Sequence, residues 1–386
     1  MYDIIIRNGT VIDPISDTFD IRDIYIKNGR IVNSSSESDG LTKKEIDASG
    51  CYVTPGLIDS HIHLFNGGSQ LGGKADIVCP ATGVTTAIDA GSAGIYNFPS
   101  FYEQCIMPST TSIKATISPS KGGVQMDPYE EITDPVFGTY DLIMPLYEKY
   151  SDALVGIKQR VHKGVTREFG LKSLEQSAKT ARRIRENGFP CRLMVHFGPL
   201  AQDVSMEEIM NILEPGDVFT HIYRPDNGTT IFDDSGKVLD CIKAAQRRGV
   251  VFESGCARSH CSFVSINKAF ADSFPPEIIS TDMIGDTFYW KPSGWLPLKM
   301  SIYLNMGMEL ADVVKAVTFT PASVYGILKE AGTLSEGNPA DVAIFRVEDR
   351  DFHLDDLYGG SFDGNHLIVP MATVKAGKIV FQQIYL

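Results

Sequence analysis

The sequence lacks any apolar run approaching the roughly 18 residues that a membrane-spanning helix needs. Its opening stretch, Met1-Tyr2-Asp3-Ile4-Ile5-Ile6-Arg7, has neither a basic start nor a small-residue cleavage signal, so no leader and a cytoplasmic location are expected. The seven cysteines are odd in number and show no Cys-x-x-Cys spacing. That argues against a disulfide framework and for a reducing compartment. Basic residues are outnumbered, 35 Lys and Arg against 48 Asp and Glu, for a net charge of -13. Nucleic acid and anionic membranes need a basic face, so neither is an expected partner. The glycine-rich segment Asp89-Ala90-Gly91-Ser92-Ala93-Gly94 lacks a P-loop lysine and is no phosphate cradle; its glycines suit close approach of a substrate to the backbone. No low-complexity tract or short-period repeat is present.

What is present is the balance of a globular protein, 43% hydrophobic and 22% charged, in 386 residues. Such a length suits one large barrel with a smaller appendage. The N-terminal runs Asp3-Ile4-Ile5-Ile6-Arg7, Ile24-Tyr25-Ile26-Lys27 and Arg30-Ile31-Val32, punctuated by Asn8-Gly9 and Asn28-Gly29, read as a small antiparallel sheet. The C-terminal end reads similarly, with a strand at 341–345 and a hairpin over 372–381 turning at Ala376-Gly377. Both β-rich ends are expected to be short and to join in one sandwich, residues 1–54 with 331–386, and to enclose a barrel of residues 55–330. Between them, short apolar strands alternate with helical stretches: 154–157, helix 173–186, 192–195, helix 206–213, 217–220, helix 238–248, 250–252. That alternation indicates a parallel sheet, and about eight units fit a closed α/β barrel of the TIM (β/α)8 type.

The sharpest local feature is Pro55-Gly56-Leu57-Ile58-Asp59-Ser60-His61-Ile62-His63, an apolar strand ending in His-x-His. Residues two apart in a strand face the same side, so His61 and His63 can point together into a barrel mouth and hold one metal. Other strands end in ligand-type residues: Lys158, His196, His221 and Asp282. Each alone has an ordinary reading; Lys158 reads as a lysine reaching the surface, Asp282 as a helix cap. Together they place such residues at the C-terminal ends of successive strands, where barrel active sites lie.

On these residues the sequence resembles the amidohydrolase superfamily, which includes dihydroorotases, hydantoinases and related deacetylases. The terminal β elements, the His-x-His and the stretch Gly332-Thr333-Leu334 … Gly337-Asn338-Pro339-Ala340-Asp341 carry the resemblance over nearly the whole chain. Gly156-Ile157-Lys158 and Ser280-Thr281-Asp282 look like the deacetylase branch, whose members have been labelled dihydroorotase or adenine deaminase. The resemblance implies two divalent metal ions, with zinc the default and manganese or iron also fitting the ligand types. His61, His63 and Asp282 would bind the more buried ion, and His196 and His221 the more exposed one. Lys158 would bridge both as N6-carboxylysine, because its carbamate is an anionic bidentate ligand where the amine is a poor one. A metal-bridging hydroxide would then attack the carbonyl, with Asp282 as general base and then acid. The implied protein is a homo-oligomer acting on a small molecule, with deacylation of a small acylated acid or amine the favoured reaction.

Other readings stay open. A mononuclear nucleobase deaminase typically has a Glu shortly after the strand-five histidine, whereas Phe197-Gly198-Pro199 follows His196. A scaffold that kept the fold and lost its metals is at odds with six filled ligand positions. A dihydroorotase-like cyclic amide hydrolase uses an arginine soon after the His-x-His, whereas Leu64-Phe65-Asn66-Gly67-Gly68 stands here. An anionic substrate would need another grip; Arg160, Arg224, Arg258 and Ser92 are the substrate-binding candidates. In the loop 253–263, Cys256 occupies the place where that branch more often has the histidine of Gly-His-Gly. Cys256, His260 and Cys261 form either an extra metal or redox site or a lining of the pocket mouth. Tyr289, Trp290 and Trp295 either wall the pocket or pack over the barrel rim.

Overall fold

The computed structural model describes residues 1–16, 18–34, 41–125, 131–225, 229–257, 259–288, 290, 294–384 and 386. Seven parallel strands lie in sequence order around the barrel: Leu57–Ile62, Val84–Gly94, Ser112–Ser118, Leu154–Val161, Arg192–Phe197, Val218–Thr220 and Val251–Glu253. They are apolar and buried on both faces, as parallel strands under a coat of helices must be. The helices show the matching pattern. In Lys172–Glu186 the buried residues Leu174, Ala178, Ala181 and Ile184 form one stripe at helical spacing. The helix expected over 238–248 begins at Asp240 and ends where Gly249 turns left-handed at φ 99°.

The eighth stave differs from the strand expected at 278–282. It touches its neighbours through single parallel bridges, Glu253 with Ile278 and Ile62 with Met283, which close the ring. Two features shorten it. Pro275 and Pro276 remove donors just before it, and Asp282 leaves the extended region at φ 49°.

The terminal segments form two sheets. One, of four strands, runs Arg30–Val32, Ile24–Lys27, Tyr2–Arg7, Thr42–Asp47; the other, of six, runs Lys378–Gln382, Ser361–Lys375, Val342–Asp355, Tyr52–Pro55, Thr10–Asp13, Thr18–Ile21. Ile4, Ile26, Val53, Val342, Ile344 and Val374 share the core between them. The first sheet is mixed rather than purely antiparallel, since Tyr2–Arg7 pairs with Thr42–Asp47 in parallel. Asn8-Gly9 is a corner and not a hairpin turn: the strands on either side enter different sheets.

The hairpin expected over 372–381 is present, Lys375 pairing with Lys378, but the strand expected at 341–345 runs on to Asp355 and forms with Ser361–Lys375 a second hairpin that the sequence reading did not contain. Its arms are 14 and 15 residues long. The outer half leaves the sandwich and crosses the barrel mouth. Phe362 stacks on Phe263 with ring centres 5.3 Å apart, and Asp356 Oδ2 accepts from the Phe263 N–H at 2.8 Å. Among the described residues no helix is long and apolar enough to cross a membrane.

Candidate metal centre

At the C-terminal ends of the barrel strands, the pleat turns His61 and His63 to the same side, as period two requires. The Nε2 atoms of His61 and His63 lie 3.2 Å and 3.3 Å from Asp282 Oδ1, and all three residues are buried. Each imidazole is fixed from behind. His61 Nδ1 is 2.9 Å from Glu253 Oε2, and His63 Nδ1 is 2.8 Å from Ser92 Oγ. These contacts leave the Nε2 atoms to converge on one point, as metal-ligating imidazoles require.

A second cluster lies beside the first. His196 Nδ1 faces His221 Nε2 at 2.8 Å, while His221 Nδ1 donates to the Gly255 carbonyl at 2.8 Å. His221 thus presents a lone pair at Nε2, and His196 Nδ1 meets it either as an N–H donor or, in its other tautomer, as a second nitrogen for a cation. His221 and Asp282 both adopt left-handed backbone, φ 66° and 49°, which is uncommon outside glycine and places their side chains inward. Gly255 makes room for this: a Cβ there would stand 2.7 Å from His221 Nδ1.

Lys158 lies against the first cluster, 2% exposed, with Nζ 2.8 Å from His61 Nε2, and borders the same cavity as His196. The surface-lysine reading does not hold. The glycine-rich end of strand two serves it: a Cβ on Gly91 would lie 2.7 Å from Lys158 Cβ, so Gly91 admits the lysine stem.

Models of the amidohydrolase family match residues 44–96 and 266–380. The chain is 31% identical over 347 residues to a deacetylase of Brucella anthropi, covering 89% of this chain and 83% of that one. The chain belongs to the amidohydrolase superfamily. Among solved structures, a crystal structure of an adenine deaminase is similar with a TM-score of 0.88 at 28% identity, covering 99% of this chain and all of the other. A crystal structure of a dihydroorotase is similar with a TM-score of 0.85 at 29% identity, covering 98% and 99%. As an amidohydrolase the protein is a hydrolase of carbon–nitrogen bonds with a divalent metal centre, and the two histidine clusters supply the donors for it.

The electrostatics of this amidohydrolase site favour cations. Burial acts to raise Asp282, but the charge of His61 and hydrogen bonds from His260, His61 and His63 outweigh it and hold the carboxyl well below its usual range. Glu253 is likewise kept ionised: burial is outweighed by His61, Thr220 and Ser60. Burial, then the nearby His221 and Arg160, hold His196 well below the ordinary imidazole value; burial and then His260 do the same to His221. Neutral imidazoles and ionised carboxylates are the forms that ligate. Burial pulls the Lys158 ammonium down to about 8, against the opposing pull of Asp282 and Glu253.

Over the clusters lies a cavity of about 390 Å³, floored by His61, His63, Lys158, His196, His260 and Asp282. Leu71, Val124, Ile284, Trp290 and Leu357 make much of its wall apolar. Of the three described substrate-binding candidates, Arg160, Arg224 and Ser92, the cavity is lined by one. Arg160 borders the cavity, its Nη1 donating to Glu131 Oε2 at 2.6 Å and to the Gln125 carbonyl at 3.0 Å. Arg224 does not reach the cavity; it is 5% exposed and donates to the Phe197 carbonyl at 2.6 Å. Ser92 stands behind His63 rather than before a substrate. Arg258 and Tyr289 lie outside the described residues. Trp290 borders the cavity, whereas Trp295 packs on Phe288 with ring centres 5.9 Å apart.

The cysteines of the loop after strand seven do not join a metal cluster among the described residues. Cys256 Sγ meets Tyr303 OH at 3.3 Å, and its carbonyl takes the buried Lys299 ammonium at 2.5 Å. His260 instead turns toward Asp282, and its ligand atom falls within 4.8 Å of those of His196 and His221. The sequence reading also passed over Glu253. The available signal was an acid directly following the apolar run Val250-Val251-Phe252, at a strand end.

Proposed function

We propose that this amidohydrolase is a binuclear deacylase, removing an acyl group from a small acylated acid or amine. The observation that carries the reading is the place of Lys158, buried with Nζ 2.8 Å from His61 Nε2 and lining the same cavity as Asp282 and His196. A lone ammonium is a poor occupant of such a place. Its carbamate would be an anionic, bidentate bridge. We take the two ions to be zinc, which imidazole and carboxylate donors at an open site suit.

Ions held there supply a water that is nucleophilic at neutral pH and a Lewis acid for the substrate carbonyl. The chain's own residues do the rest. Glu253, Ser92 and the Gly255 carbonyl orient three of the ligating imidazoles. Asp282, ionised and at the cavity floor, accepts the proton of the attacking water and returns it to the leaving nitrogen or oxygen. Leu71, Val124, Ile284, Trp290 and Leu357 offer a substrate apolar contact, and the cavity volume suits a small acyl compound. Arg160 supplies positive charge on one side for a substrate carboxylate.

The choice of deacylation over ring opening is supported by the deacetylase relative and by the absence of an arginine after His63. Ring opening of a cyclic amide is the second reading, favoured by the likeness to a dihydroorotase structure. We place the protein in the cytoplasm as a homo-oligomer, with residues 1–54 and 331–386 as one unit and 55–330 as the catalytic one.

The test is a panel of N-acyl and O-acyl derivatives of small carboxylic acids against dihydroorotate, hydantoins and adenine. The expected result is kcat/KM at least about 100-fold higher for an acyl compound. Turnover confined to cyclic amides, or ammonia release from adenine, overturns the reading.

A further inference from the structure

The loop after strand seven brings in an imidazole for which the resemblance gives no role. His260 Nδ1 lies 3.0 Å from Asp282 Oδ2, and its ring borders the cavity. Because Asp282 is a carboxylate, Nδ1 carries the proton and donates it. Its Nε2 has no hydrogen-bond partner among the described residues.

The two oxygens of Asp282 are thereby given different surroundings. Oδ1 faces His61 Nε2 and His63 Nε2, while Oδ2 faces His260 Nδ1, with His221 Nδ1 next nearest at 3.9 Å. Rotation about Cβ–Cγ of an aspartate is soft, so nothing intrinsic fixes the plane of the carboxylate. A donor fixed on Oδ2 does. His260 is itself held firmly: its N–H reaches the Ala257 carbonyl at 3.2 Å, and its ring packs 4.1 Å from that of His221. The preceding carbonyl, of Ser259, accepts from Tyr358 OH at 2.9 Å, so the C-terminal hairpin braces the loop from outside.

We propose that His260 is a positioning residue for Asp282. Its Nδ1–H locks the carboxylate so that Oδ1 stays with the ligating imidazoles and Oδ2 remains oriented at the cavity floor for proton transfer. The inference rests on the hydrolytic reading above for its catalytic consequence, but its geometric content stands apart from any substrate. It also separates His260 from the ligands: its inward nitrogen is already committed to a carboxylate.

The experiment compares His260→Ala, His260→Asn and His260→Gln, each loaded with metal. Asn places an N–H close to where Nδ1–H was; Gln places one nearer Nε2. Metal per chain is expected to match wild type in all three. Crystal structures are expected to show the Asp282 carboxylate rotated or in two orientations in the Ala and Gln variants and single in the Asn variant. On the best substrate, kcat is expected to fall about 10- to 100-fold in His260→Ala, with KM within threefold, and to recover mostly in His260→Asn. Metal lost from both Ala and Asn variants would make His260 a ligand and overturn the proposal. So would an unmoved carboxylate in His260→Ala, or rescue by Gln and not by Asn. If wild type turns over no compound in the panel, the proposed function fails while the crystal structures still decide the role of His260.

Discussion

Three of the four candidate ligand imidazoles in this site, those of His61, His63 and His221, are set by the group behind them. Glu253 is the strongest case: fully buried, ionised and 2.9 Å from His61 Nδ1. Glu253→Gln keeps the shape but removes the charge that fixes the His61 tautomer. Metal affinity is expected to fall about 10- to 100-fold, measured by chelator competition, with the circular dichroism spectrum unchanged. Lys158 gives a pH prediction. CO₂ reacts with the neutral amine, and burial pulls this lysine down to about 8. Below that value the ammonium dominates and is inert; above it the amine dominates. At a fixed concentration of dissolved CO₂, reconstitution of metal-free protein with zinc should therefore speed up as pH rises from 7 to 9, the neutral fraction going from about a tenth to about nine tenths. A rate flat across that range would contradict the assignment. At this scale the His-x-His was legible because strand periodicity alone puts His61 and His63 on one side. Ser92 stands behind His63 and Arg224 turns to the Phe197 carbonyl, placements that were not legible because sequence does not say whether a polar group stands before or behind its neighbour. His260 was unassigned because a non-periodic loop gives no direction at all.

Elements carry these residues inward, and their fit is tight. Strand two passes Lys158 at Gly91, which has φ 80° and no space for a Cβ. Gly91→Ala meets both obstacles and should destabilise the protein by more than about 1 kcal/mol, seen as a lowered Tm, with a parallel loss of bound metal. The outer hairpin is the second element with a functional consequence. Leu357 at its tip borders the cavity though it belongs to the C-terminal segment. Leu357→Ala is expected to raise kcat/KM for bulkier acyl groups relative to acetyl by several-fold, and Leu357→Trp to lower it, with metal content unchanged. Equal effects on all chain lengths would remove Leu357 from the specificity wall. The barrel strands were legible as apolar runs separated by helical stripes. The hairpin was not, because Glu348-Asp349-Arg350-Asp351 breaks the strand pattern in its solvent-facing middle. The eighth stave was legible by its Ile278-Ile279 pair, but its irregular pairing follows from prolines and a left-handed aspartate whose effects are local.

The whole molecule joins these elements through the metal centre. Residues from the ends of strands one, five and six and from the eighth stave form the candidate ligand clusters there, and a lysine from strand four touches the first of them. An ion bound there engages only the closed barrel, so it stabilises the native state by mass action. Stripping it should lower Tm by about 5 °C for ions at a thousandfold over Kd, restored by zinc with bicarbonate. The account's central claim is that two ions are bridged by carboxylated Lys158. Elemental analysis of purified wild type and Lys158→Ala, side by side, tests it most directly. The account predicts two ions per wild-type chain, and in Lys158→Ala the loss of metal and turnover together. A Lys158→Ala protein that keeps both ions and full activity would contradict it.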